Sequence, residues 1–118
     1  MKAGAERNHP RHQLDDALMT PIRLSLMAAL GQPAEIDFKT LRDLLETEDS
    51  ALSKSMTVLS QRGYVLVRKG YVHNKPRTWL MATPQGRQAL QRHMAALQAI
   101  AAGLPEPAAL PLERPEGR

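Results

Sequence analysis

Hydrophobic periodicity changes at Gly63, and that change narrows the folds open to this chain. Before it, Leu52, Met56 and Leu59 recur at i, i+4 and i+7, the stripe of an amphipathic helix. After it, Tyr64-Val65-Leu66-Val67-Arg68 and Thr78-Trp79-Leu80-Met81-Ala82 are β-prone runs. A plain helical bundle leaves the second pattern without explanation, and an α/β fold needs more strands than this region supplies.

Extending the same reading in both directions gives the order of elements. Leu14, Leu18, Ile22, Leu26 and Leu30 mark one helix face, interrupted by Pro21. With Thr20 as N-cap and Pro21 at the first helical position, the pattern predicts a turn or two over 14–19 and a helix over 21–30 stopped by Gly31. A loop follows, with Ile36–Phe38 as a short edge strand. The next helix covers 39–46 with Leu41, Leu44 and Leu45 inward, and Glu46–Asp49 makes a tight polar turn. A third helix runs over 50–62, capped by Asp49 or Glu48 and stopped by Gly63. The segment Lys69–Arg77 between the β-prone runs is too long for a two-residue turn and predicts an extended β-loop. Thr83-Pro84 repeats the cap-plus-proline signal and opens a last helix that fades at Gly103.

Two helices joined by a four-residue turn and followed by a basic hairpin make a winged helix-turn-helix, mainly α with a small β-hairpin (α+β). The expected organisation is a flexible arm over 1–13, a DNA-binding and dimerisation domain over 14–103, and a disordered Pro-rich tail over 104–118.

Composition narrows the function. The chain has 118 residues and a net charge of +4, but the charge is segregated. Residues 14–49 carry eight acidic and three basic side chains, whereas residues 50–105 carry eight basic ones and no Asp or Glu. Ordinary surfaces mix the two signs, so a carboxylate-free stretch of this length points to a polyanionic partner. No cysteine is present, which excludes disulfides, thiolate metal sites and cysteine nucleophiles. His9, His12, His73 and His93 match no ligand spacing, and no Gly-rich phosphate loop exists, so neither a metal, a cofactor nor an enzyme activity is expected. No apolar run is long enough for a membrane span, residues 1–13 lack the apolar stretch of a secretory signal, and the last helix is poor in membrane anchors. A cytoplasmic setting is expected.

With Leu52, Met56 and Leu59 inward, the third helix turns Ser50, Lys54, Thr57 and Gln61 outward, flanked by Ala51, Ser53 and Val58. Small and hydroxylated side chains permit close approach to base edges, and Val58 suits a thymine methyl. In the hairpin, Arg68, Lys69, Lys75 and Arg77, with His73 near the tip, form a basic ribbon suited to phosphates or the minor groove. Trp79 and Tyr64 read as core residues. On the last helix, Leu90, Met94, Leu97 and Ile100 form an apolar stripe with alanines beside it, which suits a homodimer interface.

Taken together, Asp15-Asp16, Pro21-Ile22-Arg23-Leu24, Leu41-Arg42-Asp43, Leu52-Ser53, Gly63-Tyr64-Val65, Arg68-Lys69-Gly70, Pro76-Arg77-Thr78-Trp79 and Thr83-Pro84-x-Gly86-Arg87 resemble the bacterial winged-helix transcriptional regulators related to the MarR and ArsR groups. The resemblance covers about residues 14–100. It implies a DNA-binding homodimer on a palindromic site, with helix 50–62 in the major groove and wing 69–78 on the backbone or minor groove. Compared with that family, this recognition helix is smaller and less charged, and the metal-sensing cysteine pairs are absent. A small-molecule effector stays open. The expected function is sequence-specific binding of double-stranded DNA in transcriptional regulation. The alternative is a winged-helix interaction module that binds an acidic protein through the same surface.

Overall fold

Side-chain caps set the starts of three of the four α-helices among the described residues. In a computed structural model that describes residues 8–103, Thr20 accepts from the Arg23 N–H and starts α1 (Pro21–Ala29). Asp37 accepts from the Thr40 N–H and starts α2 (Phe38–Leu44), and α3 (Asp49–Gln61) follows from Glu48 without a side-chain cap. Thr83 accepts from the Gly86 N–H and starts α4 (Pro84–Ala102), which ends at Gly103 in the left-handed region with φ 76°. Each cap satisfies a helix-end N–H that has no partner within its own helix.

The strands β1 (Ile36–Asp37), β2 (Val65–Val72) and β3 (Lys75–Ala82) form one antiparallel sheet in the order β1-β3-β2. Val67 pairs with Leu80 and Arg68 with Trp79, while Ile36 on the edge strand also pairs with Leu80. The expectation of a long loop over 69–77 is corrected. The two strands run on to Val72 and back from Lys75, joined by His73 and Asn74 at φ 52° and 65°. Two consecutive left-handed residues make a primed turn whose twist matches the strands, and Asn tolerates that conformation.

The core gathers Leu26, Met27 and Leu30 of α1, Leu41 of α2, Leu52 and Leu59 of α3, and Val65, Leu80 and Ala82 of the sheet. Leu44, expected to face inward, is instead 61% exposed, because Leu41 and Leu45, four apart, take the inner face of α2. The inner face of α4 is Gly86, Ala89, His93 and Ala96, all small except the histidine. A Cβ at Gly86 would collide with the Tyr64 carbonyl oxygen, so the helix start lies flat against the beginning of β2. The larger apolar side chains of α4 sit off this face. Leu90 packs partly on the core, Leu97 and Ile100 are half-buried, and Met94 is 39% exposed.

Ahead of α1, the end of the arm expected over 1–13 is a 3-10 turn, Pro10–Gln13, which lies beside α4 and is capped by His9. A second turn, Asp16–Leu18, places Ala17 and Leu18 in the core. Between them Asp15 knots the chain together. Its N–H donates to His93 Nδ1 at 3.0 Å, and its carboxylate accepts from the Tyr64 hydroxyl, the Ala17 N–H and Arg62. Residues 1–7 and the expected tail over 104–118 lie outside the described residues. Among the described residues, no helix is long and apolar enough to cross a membrane.

Candidate nucleic-acid interface

The outer face of α3 is built by the burial of its inner one. Leu52, Ser55 and Leu59 are buried, and Met56 packs against the core. Ser50, Ser53, Lys54, Thr57 and Gln61 therefore point away and are exposed, with Ala51 and Val58 half-buried at the flanks. All seven residues assigned to this face by the sequence are brought together on it. The helix is 13 residues long, about 20 Å at the usual rise, a length that fits a major groove. The start of α1 stands beside it, and Pro21, Ile22 and Arg23 form the opposite wall of a 960 Å³ groove.

The wing divides its cations between two faces. Side chains alternate along β2 and β3, so Val67, Lys69 and Tyr71 share a face with Pro76, Thr78 and Leu80. Lys69 on that face borders a small groove with Thr57 and Gln61 of α3. Lys75 and Arg77 lie on the other face, where they meet Lys39 and Asp37 at the start of α2 in a 360 Å³ cleft. His73 stands in the turn itself, exposed at the tip.

Arg68 shares the face of Lys75 and Arg77 but is engaged within the fold. Its guanidinium grips the Glu35 carboxylate with two bonds of 2.8 and 2.9 Å and lies 4.1 Å from the centre of the Trp79 ring. The hydrogen bond from Arg68 holds the Glu35 carboxyl below its ordinary pKa. That charge braces the loop before β1 against the wing's outer face. Lys54, Lys69 and Lys75 have no ion pair among the described residues, and residues 50–103 supply no carboxylate to make one. Asp37, whose carboxyl is lowered chiefly by its hydrogen bond from Thr40, also feels the charge of Arg77.

Three residues of this surface escaped the sequence reading. Lys39 lies within the acidic stretch, where its neighbours mask it, and only the pairing of β1 with β3 brings α2 beside the wing. Ile22 counted as one member of a buried stripe, although it is half-exposed to the groove. Tyr71 is 75% exposed on the wing, and the alternation from Val67 through Lys69 was the signal for it. Among the described residues no group of three or more His, Asp or Glu side chains is placed to hold a metal ion.

Solved structures share this architecture. A transcriptional regulator homologue from Pyrococcus horikoshii is 25% identical, with a TM-score of 0.71 over 81% of this chain and 96% of its own. A MarR-family transcriptional regulator from a Rhodococcus species is 17% identical, with a TM-score of 0.58 over 87% and 75% of the two chains. BpsR of Bordetella bronchiseptica, whose DNA binding is regulated by 6-hydroxynicotinic acid, is 15% identical, with a TM-score of 0.61 over 89% and 83%. The last two likenesses are of fold. No curated protein matches the chain in sequence. The family described as winged helix DNA-binding domain matches residues 22–101, more than half of the sequence, and the chain belongs to that family.

Proposed function

We propose that this protein is a transcriptional regulator that binds double-stranded DNA by sequence as a homodimer. The observation that carries the reading is the surface made by α3 and the wing. It presents Lys54, Lys69 and Lys75 without ion pairs, around a helix face of Ser, Ala, Thr and Val. Cations that are not neutralised locally supply affinity for phosphates, and the short side chains of α3 let the helix backbone come close to base edges.

In this reading α3 lies in the major groove. Lys69 and Tyr71 face the strand that α3 reads, while His73, Lys75 and Arg77, joined by Lys39, take the neighbouring backbone and minor groove. Arg68 keeps the wing's angle through Glu35 and Trp79 rather than contacting DNA. The unit that binds and dimerises spans residues 14–103. Met94, Leu97 and Ile100 on the outer face of α4, with Leu90 at its margin, form the contact between two copies. The protein acts by binding, with no reaction of its own, and works in the cytoplasm where its DNA is.

Selection of bound duplexes from a random pool tests this. The expected product is an inverted repeat with half-sites about one helical turn apart, as two symmetry-related helices require. A recovered pool indistinguishable from the input would overturn the proposal and favour an acidic protein as the partner of the same surface.

A further inference from the structure

We infer that α3 reads its site chiefly through thymine methyl groups; this deepens the DNA-binding reading above and rests on it. The groove between the start of α1 and the outer face of α3 is lined along the helix by Ala51, Thr57 and Val58, with Ile22 across from them. Thr57 looks like a hydrogen-bonding residue in the sequence, but its hydroxyl donates to the Ser53 carbonyl at 3.0 Å, four residues back. The donor proton is spent within the helix, so toward a ligand Thr57 presents its γ-methyl and a hydroxyl oxygen that can only accept. Arg23 lines the groove too, and two of its five N–H groups are held by the chain ahead of α1. Its Nε donates to the Ala17 carbonyl at 2.6 Å and its Nη2 to the Asp16 carbonyl at 3.3 Å.

The side chains that usually identify adenine and cytosine are missing from this groove. Guanine is read by a two-pronged Arg or Lys and adenine by Asn or Gln, whereas cytosine takes a carboxylate. Of the residues lining the groove, Lys54 and the partly held Arg23 are the cations, neither of them in an ion pair among the described residues, and none is Asn, Gln, Asp or Glu; Gln61, on the same face of α3, lies outside it. Thymine is the base that offers an apolar group in the major groove, and a wall of three methyl-bearing side chains facing Ile22 is chemically matched to it. DNA rather than an apolar small molecule is the occupant, because residues 50–105, which include this whole face of α3, contribute eight cations and no carboxylate. Lys54 then serves a phosphate or a single guanine, and hydroxyls of Ser50 and Ser53 complete the contact.

Replacing thymine by uracil deletes the methyl and leaves base pairing intact, so it isolates the contact. On the duplex recovered by selection, each thymine is exchanged in turn and binding is measured by fluorescence anisotropy. For the wild-type chain, at least one thymine in each half-site should give about fourfold weaker binding when it becomes uracil. Thr57→Ser, which keeps the hydroxyl and drops the methyl, should bind the thymine duplex about fourfold more weakly and be indifferent to uracil at the position Thr57 reads. Thr57→Val, which keeps the methyl without the hydroxyl, should retain the wild-type response. Equal wild-type binding to every uracil duplex would overturn methyl reading while leaving sequence-specific DNA binding intact. A selection that returns no preferred duplex would overturn both.

Discussion

The Asp15 carboxylate is 13% exposed and accepts hydrogen bonds from Tyr64 and Ala17 while facing Arg62. Burial alone would raise its pKa. The bonds from Tyr64 and Ala17 and the charges of Arg62 and His93 outweigh that effect and hold it below the ordinary carboxylate value. A carboxyl depressed in the folded state contributes stability above its unfolded pKa, near 4, and loses it as pH falls through the folded value. Unfolding by urea between pH 6 and pH 2 should therefore show stability falling on the acid side, and Asp15→Asn should flatten that fall. Tyr64→Phe removes a bond to a charged acceptor and should cost about 2 kcal/mol at neutral pH. An unchanged acid limb in Asp15→Asn would remove this carboxylate from the stability of the fold. The Asp15–Tyr64 pairing spans 49 residues, Arg68–Glu35 spans 33 and Asp15–His93 spans 78. None was legible in the sequence, because each depends on how elements pack rather than on local spacing. The local signals were legible: Thr20 and Thr83 mark helix starts, and the stripe Leu52–Met56–Leu59 gave the orientation of α3.

At the level of elements, α4 is positioned by a close approach. Thr83 Oγ1 donates to the Gly63 carbonyl at 2.7 Å and accepts from the Gly86 N–H at 2.9 Å, while the Thr83 N–H donates to the Tyr64 carbonyl. Gly86 is pressed on that carbonyl, so Gly86→Ala must push the helix start away and should cost about 3 kcal/mol, read as a lower urea midpoint. A midpoint equal to wild type would show that the contact yields without cost. The stripe read from the sequence on α4 identified its large apolar residues and missed that the inward positions belong to Ala89, His93 and Ala96. Periodicity marks apolar positions, but small residues decide which side two backbones can approach. The wing gave the converse difficulty: its charge was plain in the sequence, whereas its two-residue turn at His73-Asn74 was obscured by the polar stretch around it. In the proposed interface Arg77 makes a single phosphate contact, so Arg77→Ala should weaken binding to all duplexes alike and lower the salt slope by about 1. A slope and affinity equal to wild type would take that face of the wing out of the interface.

At the scale of the whole molecule, the proposed homodimer links assembly to DNA reading, because two half-sites would need two copies of α3 at a fixed spacing. The outer face of α4 leaves Met94 exposed and Leu97 half-buried beside Met19, Leu24 and Pro21, so an apolar strip continues from α4 to the start of α1. Leu97→Glu places a charge on that strip and should give folded monomers in analytical ultracentrifugation, with much weaker binding to the selected duplex. Dimers that persist in Leu97→Glu would move the interface elsewhere. The surface itself is tested most directly by titrating the full chain with the selected duplex and with a scrambled duplex of the same composition over a range of salt concentrations. Affinity for both should fall linearly in log–log form as phosphate contacts lose their counterion-release advantage, while the preference for the selected duplex persists at every salt concentration. Equal affinity for the two duplexes throughout, or binding that does not respond to salt, would contradict a DNA-reading surface formed by α3 and the wing.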